Sequence, residues 1–90
     1  MPKIDELRSA IAESDREILK LIGERLKLAE KIGEIKKEQG LDIIVSEVEE
    51  AVLARYVEVG KSCGIREETA KKLARLLIDE AVAHQKNIRE

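Results

Sequence analysis

The feature that most constrains this chain is a recurrence that begins at Ile4 and runs unbroken through Leu7, Ile11, Ser14, Ile18, Leu21, Arg25, Leu28, Ile32 and Ile35. Steps of three and four keep one face of an α-helix turned to one side, here over more than four heptads. No proline follows Pro2, and Gly40, with Lys36 and Lys37 just before it, supplies a stop. The spacing predicts one helix from Ile4 to Glu38, ~52 Å long at ~1.5 Å per residue. A compact chain of 90 residues has a radius of gyration of only ~12 Å, hence a diameter of roughly 30 Å. The helix outruns its own domain, so part of its stripe must be covered by another chain.

Leu41-Asp42-Ile43-Ile44-Val45 is a short apolar connection, too brief for a paired strand. Ser46-Glu47-Val48-Glu49 has the form of a capping box, with Ser46 as N-cap and Glu49 at the third helical position. A second helix is expected to about Ser62, with Val48, Val52, Tyr56 and Val57 inward, until Gly64 breaks it. Glu67 and Glu68 supply first-turn acids for a third helix running to about Ile88. Its broad apolar face carries Leu73, Ala74, Leu77, Ile78, Ala81, Val82, Gln85 and Ile88. The expected fold class is all-α: three helices per chain, one very long and two medium, in one domain over residues 1–90.

Composition removes several kinds of function. The apolar residues, 43% of the chain, are almost wholly aliphatic, with Tyr56 the only aromatic. A single-stranded nucleic-acid binder would use stacking rings. A duplex binder would carry a basic excess, whereas 17 basic against 19 acidic residues leave a net charge of −2. Cys63 is alone, so no disulfide framework is available. No run approaches the eighteen or so apolar residues of a membrane span. Met1-Pro2-Lys3 leads straight into the amphipathic pattern and not into a signal peptide. The expectation is a soluble cytoplasmic protein in a reducing compartment, with neither nucleic acid nor membrane as partner.

The informative residues are polar groups standing where the pattern asks for apolar ones. Arg25 occupies a seam position between Leu21 and Leu28. Lys36 lies three turns further on, only ~20° round the helix. Gln85 sits on the apolar face of the third helix, one turn past Ala81. Each alone has a plain reading, as a snorkelling cation or a core hydrogen bond. Together they are three donors without a matching buried acid, and buried cations need an anionic partner. A ligand can be that partner. Arg8 is seventeen residues from Arg25, or ~25 Å along one helix, too far for one small molecule. An antiparallel partner helix crossing near residues 17 to 22 would set Arg8 of one chain beside Arg25 and Lys36 of the other.

The remaining candidates read as structural. His84 has no ligand neighbours at metal spacing and is expected to face solvent. Cys63, at a helix end without a histidine nearby, reads as an incidental thiol. Ser14 and Asp15 soften or register the seam, and Gly23 and Gly33 mark close helix approach. The capping box alone would explain Glu49.

The succession Leu7-Arg8, Ile11, Asp15, Ile18-Leu19, Leu21-Ile22, Arg25, Leu28-Ala29, Ile32-Gly33 and Lys36 resembles the first helix of the all-helical chorismate mutases. The resemblance continues through the second helix and through Leu77-Ile78-Asp79 to Gln85, covering essentially the whole chain. It implies an intertwined helical homodimer with two equivalent sites, each shared between chains, that converts chorismate to prephenate without a cofactor or metal. Residues matching Arg25 and, from the other chain, Arg8 hold the carboxylates of the substrate. Those matching Lys36 and Gln85 donate to its ether oxygen, and Glu49 matches a glutamate that accepts from the ring hydroxyl. Val52, Ile78 and Val82 match apolar wall positions. Three positions depart from the pattern: Val45 and Val48 stand where an aspartate and an arginine are usual, and Ala81 stands for a common serine. Two other readings stay open, an isochorismate pyruvate lyase on a similar scaffold and a non-catalytic helical dimerisation module.

Overall fold

The computed structural model describes residues 3–89; Met1 and Pro2, at the head of the amphipathic pattern, lie outside the described residues. Three helices follow in order: α1 (Ile4–Gln39), α2 (Ser46–Ser62) and α3 (Glu67–Arg89). Among the described residues there is no strand.

Two glycines end the first two helices in the same way. Gly40 has φ 65° and Gly64 φ 76°, left-handed conformations that a Cβ would strain. At the first, the Leu41 N–H donates to Lys36 O at 2.8 Å and the Gly40 N–H to Lys37 O at 3.4 Å. At the second, the Ile65 N–H donates to Gly60 O at 2.8 Å. These bonds satisfy helix-end carbonyls that have no intrahelical donor. The start of α2 departs from the expected capping box. Val45 is the N-cap, in extended conformation, Ser46 is already helical, and no side chain caps the end. The Glu49 carboxylate instead accepts from Arg75 Nη1 of α3 at 3.2 Å. In this pair both partners are ionised, and it ties α2 to α3.

α3 lies in the middle, packed by α1 on one side and by α2 on the other, and α1 and α2 do not pack on each other. Small residues make both approaches possible. Ala70 and Ala74 are fully buried, and a Cβ added to Gly60 would lie 3.2 Å from that of Ala70. Val52, Ala74 and Ile78 form the core, flanked by Leu53, Tyr56 and Val82. Because α2 meets α3 through Val52 and Gly60, two residues expected in the core stay exposed: Val48, which lines the cleft, at 58% and Leu73 at 43%. Gly33 meets the expectation of close approach, since a Cβ there would stand 2.8 Å from Gln85 Cγ. At Gly23 a Cβ would meet nothing of its own chain within 4 Å. His84 also corrects the expectation of a solvent-facing ring. It is half-buried, with Nδ1 2.7 Å from Glu30 Oε1 on α1 and Nε2 3.2 Å from Glu80 Oε1. The hydrogen bond to Glu30 holds its pKa above the ordinary histidine value against a smaller opposing effect of desolvation.

The assembly of helices is thin. Its extents are 57 × 24 × 14 Å, and the short dimension is little more than the ~10–12 Å diameter of one helix. Stable domains need at least two layers around a core, and one chain supplies a single layer. Its accessible surface of 7203 Å² exceeds the roughly 5,300 Å² of a compact monomer this size. The uncovered part is the predicted seam: Ile4, Leu7, Ile11, Ile18, Leu21, Leu28, Ile32 and Ile35 are each at least half exposed. The face that α1 turns to α3 carries Ile22, Leu26, Ala29 and Gly33, set roughly 100° round the helix from the seam.

Candidate active site

Because α1 and α2 flank α3 without touching, a groove runs between them, floored by α3. It forms a cleft of about 300 Å³, at the small end of ligand sites. From α1 come Arg25, Leu28, Ala29, Ile32 and Lys36, and from the connecting loop Ile43 and Val45. Val48, Glu49, Val52 and Arg55 line it from α2, and Ile78, Ala81, Val82 and Gln85 from α3. The cleft thus brings together every residue expected to hold the ligand or wall the site except Arg8. That arginine sits in the exposed first half of α1, outside the lining.

Four of the five polar side chains, all but Arg55, are held by an identifiable bond. Gln85 is 6% exposed and donates from Nε2 to Ala29 O at 2.8 Å. Gly33, one turn beyond Ala29, leaves space for this approach, since its missing side chain would occupy the path of Gln85 Cγ. An amide nitrogen carries two protons, so one N–H of Gln85 remains for a ligand. Lys36 Nζ donates to Ile43 O at 2.8 Å, closing the loop over the end of the groove and keeping two further protons. Arg25 Nη1 gives one long bond, 3.4 Å, to Leu77 O, leaving most of its fork uncommitted. Glu49 is held from outside by Arg75, which also lies 3.4 Å from Asp79 Oδ1. Glu49 first and Asp79 second raise the pKa of that guanidinium further.

The lining therefore combines three cations with one carboxylate over walls of valine, isoleucine and leucine. Such a surface suits a small, partly apolar dianion. Nothing here resembles a nucleophile with its base, and among the described residues no group of histidine, cysteine, aspartate or glutamate could hold a metal. The sequence reading missed Arg55. Its signal was its spacing, seven residues after Val48 and three after Val52, which puts all three on one face of α2.

The sequence model of the family described as chorismate mutase type II matches residues 7–86. The chain is 36% identical over 88 residues to the chorismate mutase of Methanocaldococcus jannaschii, covering 98% of this chain and 89% of that one. It is 43% identical over 61 residues to the bifunctional chorismate mutase/prephenate dehydratase of Aquifex aeolicus, which is 68% of this chain and 17% of that protein. The T-protein of Haemophilus influenzae is 35% identical over 86 residues, 94% of this chain and 22% of the relative. Against these two longer relatives the chain spans about a fifth of the length. No solved structure gives a significant match.

Proposed function

The chain belongs to the chorismate mutase type II family, and from that premise we propose that its cleft rearranges chorismate to prephenate. The observation that carries this reading is the cleft's donor set: Arg25, Lys36 and a buried Gln85 converge on an apolar groove with protons to spare. In the rearrangement one C–O bond breaks as one C–C bond forms, within a single molecule and without a proton being exchanged. The protein's task is to hold the compact conformer and to stabilise the charge that grows on the ether oxygen. Arg25 grips a carboxylate. Lys36 and Gln85 donate to the ether oxygen, and Glu49, steadied by Arg75, accepts from the ring hydroxyl. Val45, Val48, Val52, Ile78, Ala81 and Val82 wall the ring.

A second copy of the chain completes the site. The uncovered seam and single-layer shape support an intertwined homodimer in which Arg8 of one chain reaches the cleft of the other. Among the described residues no helix is long and apolar enough to cross a membrane, and the unpaired Cys63 fits a reducing, cytoplasmic compartment. Loss of chorismate absorbance with purified protein tests the reading, with isochorismate assayed in parallel. Chorismate should be consumed and prephenate formed. Lys36→Ala should lower kcat by about a hundredfold, the usual cost of removing one transition-state donor. A folded wild type that leaves chorismate untouched, or that cleaves isochorismate instead, overturns it.

A further inference from the structure

We propose that Arg55 is a substrate-binding residue of this cleft, supplying from α2 a further cation for a carboxylate of the bound dianion. This rests on the chorismate mutase reading and extends it to a residue that neither the seam pattern nor the family resemblance singled out. Arg55 lines the cleft together with Arg25 and Lys36. It follows Val48 by two turns and Val52 by one, which sets all three on the same face of α2.

What sets it apart is its lack of commitments. Arg25 gives a bond to Leu77 O, Lys36 to Ile43 O, and Arg75 is taken up by Glu49 and Asp79. Among the described residues no carboxylate or carbonyl engages Arg55. The acid in the cleft, Glu49, is six residues away on α2, a spacing that does not bring side chains together, and Arg75 already holds that carboxylate from the far side. A planar five-donor fork is thus left open toward a groove that has to bind two negative charges. Within one chain the other cleft cations are Arg25 and Lys36, and Lys36 is drawn to the ether oxygen. Arg55 adds to Arg25 and to Arg8 of the other chain in holding the carboxylates, in a chain that carries valine at position 48.

Arg55→Ala and Arg55→Lys, each in the full-length protein, test this. Arg55→Ala should raise KM for chorismate about tenfold or more, as loss of a charge-assisted bond does, with kcat changed less than about threefold because the carboxylate keeps its charge through the reaction. Arg55→Lys should recover part of the loss, and melting temperature and oligomeric mass should stay at wild-type values. Calorimetric titration with prephenate should show the same weakening without depending on turnover. An unchanged KM and prephenate affinity in Arg55→Ala overturns the inference, and so does a KM rise accompanied by a fall in melting temperature or mass. Failure of the mutase reading looks different: wild type itself then fails to consume chorismate, while the prephenate titration still reports on Arg55. If wild type does not bind prephenate either, both proposals fall.

Discussion

From Ile22 to Gln39, α1 lies along α3 with Ala29 and Gly33 buried, and its side chains build one wall of the cleft. From Ile4 to Leu21 the same helix carries the same apolar recurrence, yet every residue is exposed. Helices in water are held mainly by the packing of an apolar face and not by propensity. The packed half has that support within its own chain. The solitary half has only local aids, such as the exposed Arg16–Glu13 pair at 2.6 Å, which contributes at most about 1 kcal/mol. Each uncovered leucine or isoleucine would gain about 1.5–3 kcal/mol on burial. The comparison supports the proposed homodimer, in which the first half of α1, with Arg8 in it, would be the part that a second copy covers.

A charge in the seam should break the solitary half outright. Ile18→Asp is expected to convert a particle of twice the 10.1 kDa chain mass into single chains with little helix. It should abolish turnover, as light scattering, circular dichroism and the chorismate assay would record. A fully active Ile18→Asp monomer would show that the exposed half plays no part in the site.

The next test sets the two halves against each other. Arg8→Ala damages the solitary half and Arg25→Ala the packed half, and each homodimer should be nearly inactive. If every site takes Arg25 from one chain and Arg8 from the other, refolding an equal mixture restores one intact site in each mixed dimer. Activity should then return to about a quarter of wild type by random pairing. A mixture as inactive as its parents would place both arginines in the same chain's site.

Gly23 and Gly33, nearly three turns apart on α1, should respond in opposite directions. Gly33→Ala forces a methyl against Gln85, and overpacking of this kind costs about 1–3 kcal/mol, partly offset by about 1 kcal/mol of helix propensity. Displacing Gln85 should also lower kcat about tenfold, since small misplacements of a catalytic donor are felt strongly. Gly23→Ala meets nothing in its own chain, and should stabilise by up to about 1 kcal/mol with activity intact. A destabilised Gly23→Ala variant would locate a partner backbone at that point.

The smallest effect concerns the join between α1 and α3. His84, hydrogen-bonded to Glu30, has a folded pKa raised above its unfolded value, so folding takes up protons in that interval. The stabilisation is complete below the unfolded value of about 6.5 and is lost as pH rises through the folded one. Melting temperature should therefore decline from pH 6 toward pH 8.5 in wild type, and His84→Gln should flatten that decline. Equal slopes in the two proteins would remove His84 from the account.

The seam, Gly40 and Gly64 determined the three helices and where the first two end, because helical periodicity and left-handed glycine caps are local properties of a few neighbouring residues. The same periodicity made Arg25, Lys36 and Gln85 conspicuous as donors on apolar faces, and the family resemblance added Glu49 and the apolar wall positions. Other features depended on tertiary structure. Glu49 leaves its expected capping box for Arg75, His84 leaves solvent for Glu30, Val48 stands exposed in the cleft wall and not in the core, and Arg55 joins the cleft. Each of these depends on which face of α1 and α2 meets α3, a choice made between residues far apart in sequence. A helix repeats every 3.6 residues whatever lies beside it, so its pattern states which face is apolar. Which neighbour that face meets is decided by packing, here by the small residues Ala29, Gly33, Gly60, Ala70 and Ala74, which let α3 come close on both sides.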